Sequence, residues 1–162
     1  MPGPAAPVRP TDRTDPVAPT PVLGALDVSA PEFGGVRYAV PDGYVVREVR
    51  GRSMRTVAGV LDEFAAALQF PYYFGGNRDA FDDSLRDLDD RLGPARGYVI
   101  AVRDADQLLA DAPEQRSWFD SAMTDAADYW ARRGVVFRVV LQGAVPPASA
   151  TASLVFDTRE AD

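Results

Sequence analysis

Two stretches of the chain, Tyr98 to Val102 (YVIAV) and Val135 to Leu141 (VVFRVVL), are almost continuously apolar. Such runs fit strands of a parallel sheet covered on both faces, rather than strands with one wet face. Between them the spacing turns helical. Phe119, Ala122, Met123, Ala126 and Trp130 recur on one face of 114–132, Gly134 stands at the end, and Asp106 to Ala110 adds a short helical turn ahead of it. Two more amphipathic helices precede the first run. Val57, Val60, Leu61, Phe64 and Leu68 share a face over 56–68, which Pro71 terminates. Phe81, Leu85, Leu88 and Leu92 mark the apolar stripe of a second helix over 78–91, which begins at Asn77 as N-cap and ends at Gly93-Pro94. Upstream, from Val36 to Val49, GVRYAV, the turn PDG and YVVREV read as a β-hairpin or as a strand with an edge partner. The order strand, two helices, strand, two helices, strand predicts a small α/β layer fold with right-handed crossovers.

The ends of the chain break this pattern. Eight of the 14 prolines fall in residues 1–35, mixed with Ala, Thr, Asp and Gly, so 1–35 is read as an extended, mobile tail outside the core. Residues 36–143 then form one domain and 144–162 a C-terminal tail, in which Ser153 to Phe156 offers a weak edge strand. No internal repeat is present.

Composition narrows the chemistry. The 162 residues include no histidine and no cysteine, which removes imidazole bases, Ser/His/Asp and Cys/His nucleophilic systems, disulfides and Cys/His zinc sites. All 17 basic residues are arginine, Asn77 is the one asparagine and Ile100 the one isoleucine, the bias of a GC-rich genome. A net charge of −7 disfavours direct binding to nucleic acid or anionic membranes and favours a basic partner. The N-terminus MPGPAAPVRPTDRTDP lacks the charged start and apolar stretch of a signal peptide, and no run of about 18 apolar residues would span a membrane. The chain is read as cytoplasmic and, by default, monomeric.

The most specific chemistry lies in residues 70–88, FPYYFGGNRDAFDDSLRDL. At 100° per residue, Asp79, Asp83 and Asp90 fall opposite the apolar stripe. Asp79 and Asp83 are like charges one turn apart, which costs about 0.2–0.5 kcal/mol in an isolated helix. A local rule broken without compensation points toward function. Bland readings compete with this one. Asp79 in the first turn also favours the helix dipole by roughly 0.3–1 kcal/mol. Asp82–Arg86, Arg86–Asp90 and Asp87–Arg91 would form ordinary surface pairs, so Asp87 and Asp90 are set aside. Strict alternation through Tyr72, Tyr73 and Phe74 would bury the outer two and expose Tyr73. Trp118 and Trp130 read as packing residues.

The motif Pro71, Tyr73, Gly75, Asn77, Asp79, Ala80, Asp83, Leu85, together with the order of elements over roughly 44–142, resembles the barstar family of ribonuclease inhibitors. The resemblance implies a three-stranded parallel sheet flanked by about four helices, with room for an extra N-terminal edge strand. It also implies one-to-one binding to a small secreted guanyl-specific ribonuclease, with no catalysis and no cofactor. Carried over to this chain, the partner-binding surface comprises Tyr73, Gly75, Gly76, Asn77, Arg78, Asp79, Asp82 and Asp83, with Asp79 and Asp83 as hot spots. A ribonuclease cleft that grips phosphate offers cationic donors, so two fixed carboxylates imitate two anionic groups of RNA. The chain departs from the family pattern in three places. Arg78 and Asp82 stand where the family has apolar or aromatic residues. Tyr129 stands where it has an acidic one, for which Asp125 or Asp128 are the substitutes. Two other classes of function are compatible with the composition: a Mg²⁺-dependent enzyme using Asp79, Asp82, Asp83 and Asp87, and an acidic adaptor recruiting a protein through its Pro-rich tail. The enzyme reading lacks a lysine-bearing phosphate loop and a second catalytic group.

Overall fold

A computed structural model describes residues 22–71, 75–143 and 151–154, the last four through their backbone. Five parallel strands form one sheet: β1 (Leu23–Leu26), β2 (Tyr44–Arg50), β3 (Gly97–Arg103), β4 (Val136–Gln142) and β5 (Thr151–Leu154). Their spatial order is β2-β3-β4-β1-β5. The three central-domain strands are in register as Val46↔Val99 and Val99↔Arg138, while Leu23 pairs with Val139 on one side and Thr151 on the other.

The two apolar runs behave as their composition requires, because successive side chains enter opposite layers. Tyr98, Ile100 and Val102, with Phe137, Val139 and Leu141, face the larger core. That core is closed by α2 (Val57–Ala67), α3 (Arg78–Leu85), α4 (Leu88–Leu92) and α5 (Arg116–Ala131). Phe64 sits at its centre, edge-on to Phe81 at 5.2 Å and to Phe119 at 5.9 Å. Val99, Ala101 and Val140 face a second, smaller core with Leu26, Phe33 and Val36.

The two cores correct the reading of 1–35 as a tail over residues 22–35, since Leu23 in the larger core and Phe33 in the second are fully buried, while residues 1–21 lie outside the described residues. The one-turn helix α1 (Ala30–Phe33) is started by a capping box: Ser29 Oγ accepts from Glu32 N, and Glu32 Oε1 accepts from Ser29 N. Side chains from the sheet hold the segment down. The Arg103 guanidinium donates twice to Glu48, at 2.9 and 3.1 Å, and once to the Ala30 carbonyl at 2.9 Å, and it lies over the Phe33 ring. Gln142 donates to the Val28 carbonyl and accepts from Asp104 N. The hairpin expected over 36–49 does not form. Residues 34–38 make a 3-10 turn that delivers Val36 to the second core, and β2 pairs in parallel with β3 alone. The sheet likewise has five strands rather than three, because β1 and β5 come from the segments read as tails. The expected edge strand near 153–156 does occur, as β5 at 151–154.

Two helix ends are set by local chemistry. Beyond α2, Gln69 adopts a left-handed φ of 57° and Phe70 N donates to the Ala65 carbonyl at 3.0 Å, so the helix closes as a Schellman motif before Pro71 is reached. The helix predicted over 78–91 is two helices. Trp130 Nε1 donates to the Leu85 carbonyl at 2.9 Å, taking the acceptor that a continuous helix would give to Asp89 N. Asp87 N turns back to the Ser84 carbonyl, and α4 starts afresh with Leu88 buried.

Candidate functional site

The site is built on α3 and the glycines before it. Gly76 takes a φ of 67°, a left-handed value that a side chain rarely adopts, and delivers Asn77 in an extended conformation. Asn77 Oδ1 then accepts from Ala80 N at 2.8 Å, capping the helix. Phe81, Ser84 and Leu85 face inward, which leaves Asp79 and Asp83 on the outer face, both exposed. The Trp130–Leu85 bond anchors the C-terminal end of the helix to α5. The acidic face is therefore presented by a helix pinned at both ends.

Asp83 meets Arg86 at 3.5 Å, with its own side chain 77 % exposed. Such an exposed pair contributes at most about 1 kcal/mol, so the carboxylate is free to exchange partners. Arg86 in turn lies 6.0 Å from the Tyr129 ring centre, and Arg133 stacks on that ring at 3.8 Å. The expected i,i+4 ion pairs of Arg86 and Asp87 do not form among the described residues; Arg86 pairs with Asp83 instead, and the break after Leu85 separates it from Asp90. Beside Asp83, a cleft of about 160 Å³ is lined by Pro71, Gly75, Ser84, Asp87 and Arg91. Asp87 and Arg91 were not expected at the site. Their spacing from Ala80 and Ser84 is that of one helical face, but the sequence alone reads them as a surface ion pair.

Arg78 and Asp82 are placed differently from Asp79 and Asp83. The Arg78 guanidinium donates to Gln115 Oε1 at 2.7 Å and lies 4.8 Å over the Trp118 ring, which itself packs on Phe81. Asp82 is half-buried in the seam between α3 and α5, near Leu85, Arg86 and Asp125. Burial raises its pKa, Arg86 opposes the rise, and Asp125, Asp79 and Asp83 add to it. Of the late acids on α5, Asp125 and Asp128 are exposed, while Tyr129 is half-buried against Trp130. Tyr73 lies outside the described residues, as do Tyr72 and Phe74.

Among the described residues no three acidic side chains come together to hold a metal ion, so Asp79, Asp82, Asp83 and Asp87 do not form the cluster a Mg²⁺ enzyme would need. Among the same residues, no helix is long and apolar enough to cross a membrane.

The described residues thus form an all-parallel α/β domain that displays an acidic helix beside a glycine turn. The family model described as barstar (barnase inhibitor) matches residues 44–142, more than half of the chain, and the protein belongs to that family. The match starts at β2 and ends with β4, so Leu26, Phe33 and Val36 of the second core and the strands β1 and β5 lie outside it. No curated protein matches the chain.

Proposed function

We propose that this protein inhibits a small secreted guanyl-specific ribonuclease, binding it one to one as a cytoplasmic monomer. Asp79 and Asp83 enter the basic cleft in place of RNA phosphates, and the loop around Tyr73, Gly75 and Gly76 covers its mouth. Asn77 fixes the start of the helix, with Arg78 and Asp82 at the rim of the contact.

The observation that carries this reading is the exposure of Asp79 and Asp83 on one face of a helix fixed by its Asn77 cap and the Trp130–Leu85 bond, in a chain of the barstar family. A carboxylate held in place loses little conformational freedom on docking, and charge-assisted bonds to arginine or lysine are the strong ones. Attraction between an inhibitor of net charge −7 and a basic cleft speeds association and weakens with salt.

Asp79→Ala and Asp83→Ala should each weaken inhibition by at least about 2 kcal/mol, roughly thirtyfold, the general threshold for a hot spot. Both should stay folded, with a change in stability of no more than about 1 kcal/mol, because the repulsion each relieves is comparable to the dipole or ion-pair interaction it loses. Unchanged inhibition by both variants would refute the reading. Because residues 22–36 belong to the fold, removal of residues 1–21 alone distinguishes this reading from an adaptor that recruits through its tail. An inhibitor keeps its partner after that truncation.

A further inference from the structure

The sheet face away from α3 carries cations that meet no carboxylate among the described residues. Tyr44 opens β2, and its ring lies across Gly97, the residue that opens β3 beside it; a Cβ at Gly97 would fall inside the ring. Arg96 precedes Gly97. Its backbone N–H donates to the Gly43 carbonyl at 2.9 Å, and its side chain packs over Gly43 so closely that a Cβ there would sit 2.9 Å from Arg96 Cδ. Arg138 projects from β4 onto the same face, in register with Val99 of the second core.

The Arg138 guanidinium is half-buried. Nη1 donates to the Phe137 carbonyl at 2.8 Å, while Nε is buried with no acceptor. Arg50, Arg55, Arg86, Arg103 and Arg116 each meet a carboxylate. Neither Arg96 nor Arg138 does so among the described residues. Burial pushes the pKa of the Tyr44 hydroxyl up, and the charges of Arg138 and then Arg96 pull it down. Removing a cation from water without an anion beside it disfavours folding. Among the described residues nothing compensates this cost, and an oxyanion arriving from outside would offset it. Two guanidiniums and a phenol hydroxyl match a tetrahedral dianion, since guanidinium forks pair with phosphate oxygens and the hydroxyl adds a donor.

We propose that Tyr44, Arg96 and Arg138 form a phosphate-binding site on the sheet face opposite the acidic helix. The phosphate is inorganic or the terminal group of a monoester. This site is independent of ribonuclease inhibition and does not share a residue with it.

Thermal unfolding and calorimetric titration of the full chain test it, with inorganic phosphate compared against chloride at matched ionic strength. Phosphate should raise the melting temperature saturably. Arg138→Gln should weaken phosphate binding at least tenfold while being no less stable than the parent without phosphate. Arg96→Gln should weaken binding severalfold at an exposed position, and it serves if Arg138→Gln fails to fold. The Arg138 Nε–Hε resonance of the parent should shift with phosphate. A nucleoside 5′-monophosphate binding more tightly than inorganic phosphate would assign the group to a nucleotide, and equal binding to the free ion. Identical melting in phosphate and chloride, or a phosphate response intact in both variants, would overturn the site. The Asp79→Ala/Asp83→Ala variant should keep the phosphate response in full.

Discussion

Phe33→Ala would remove the largest side chain of the second core. Phe33 is fully buried against the sheet with Leu26, Val36, Val99, Ala101 and Val140 as fellow members of that core, and its ring lies 5.4 Å beneath the Arg103 guanidinium. Truncating a buried phenylalanine to alanine costs about 3–5 kcal/mol, through lost burial and the cavity left behind. The cation–π contact adds roughly 0.5–1 kcal/mol at a partly exposed site. Against a total stability of about 5–15 kcal/mol this is a large fraction. At roughly 2–4 °C per kcal/mol the melting temperature should fall by about 7–24 °C. Urea denaturation followed by circular dichroism would measure the change. Tyr38→Ala provides the control, since Tyr38 lies five residues on and is 76 % exposed, so it should stay within about 0.5 kcal/mol of the parent. A loss below about 1 kcal/mol for Phe33→Ala would mean that the segment before β2 is not part of the folding unit, and the two-core description would fail.

Three further outcomes follow from the same contacts. Trp130→Phe keeps most of the buried ring but leaves the Leu85 carbonyl without its donor, and should cost about 1–3 kcal/mol by urea denaturation; a neutral result would show that the α3–α4 break does not depend on the indole. Arg86→Ala frees Asp83 from its pair, so association with a basic-cleft ribonuclease should speed up severalfold at low salt and converge with the parent at high salt, whereas slower association would make Arg86 itself a contact. Asp82→Asn should stabilise the protein at pH 7. Burial, against the pull of Arg86 and with the push of Asp125, Asp79 and Asp83, raises the folded pKa above the ordinary 3.8, so the folded state binds more protons and stability falls as pH rises through that raised value. The advantage of Asn should be full at neutral pH and vanish below about pH 3.8; an advantage that persists in acid would mean it does not come from ionisation.

Much of the central domain is written in its hydrophobic periodicity. The runs at 98–102 and 135–141 became β3 and β4, and the 57–68 and 114–132 faces became α2 and α5, because burial on two faces or on one stripe leaves an unmistakable pattern. The outward placement of Asp79 and Asp83 was equally legible, since the apolar stripe of Phe81 and Leu85 fixes which way the helix turns. Other features depend on partners distant in sequence. Leu23–Leu26 is a four-residue strand in proline-rich surroundings, and only β4 and β5 on either side make it one. The break after Leu85 is dictated by an indole 45 residues away. Arg78 looked like a surface contact, yet Gln115 and Trp118 hold it, and nothing in the local sequence signals a tie across that distance. The same limitation hid the phosphate-binding cluster, whose three residues stand on β2, at the start of β3 and on β4.

The central claim is that the acidic face of α3 stops a ribonuclease. It is tested most directly by titrating the protein into a panel of small guanyl-specific bacterial ribonucleases while following RNA cleavage, with the Asp79→Ala/Asp83→Ala variant alongside. The account predicts that at least one enzyme loses activity linearly up to one equivalent of the parent and keeps it in the presence of the folded variant. Full activity of every enzyme with excess parent, or equal inhibition by parent and variant, would contradict it.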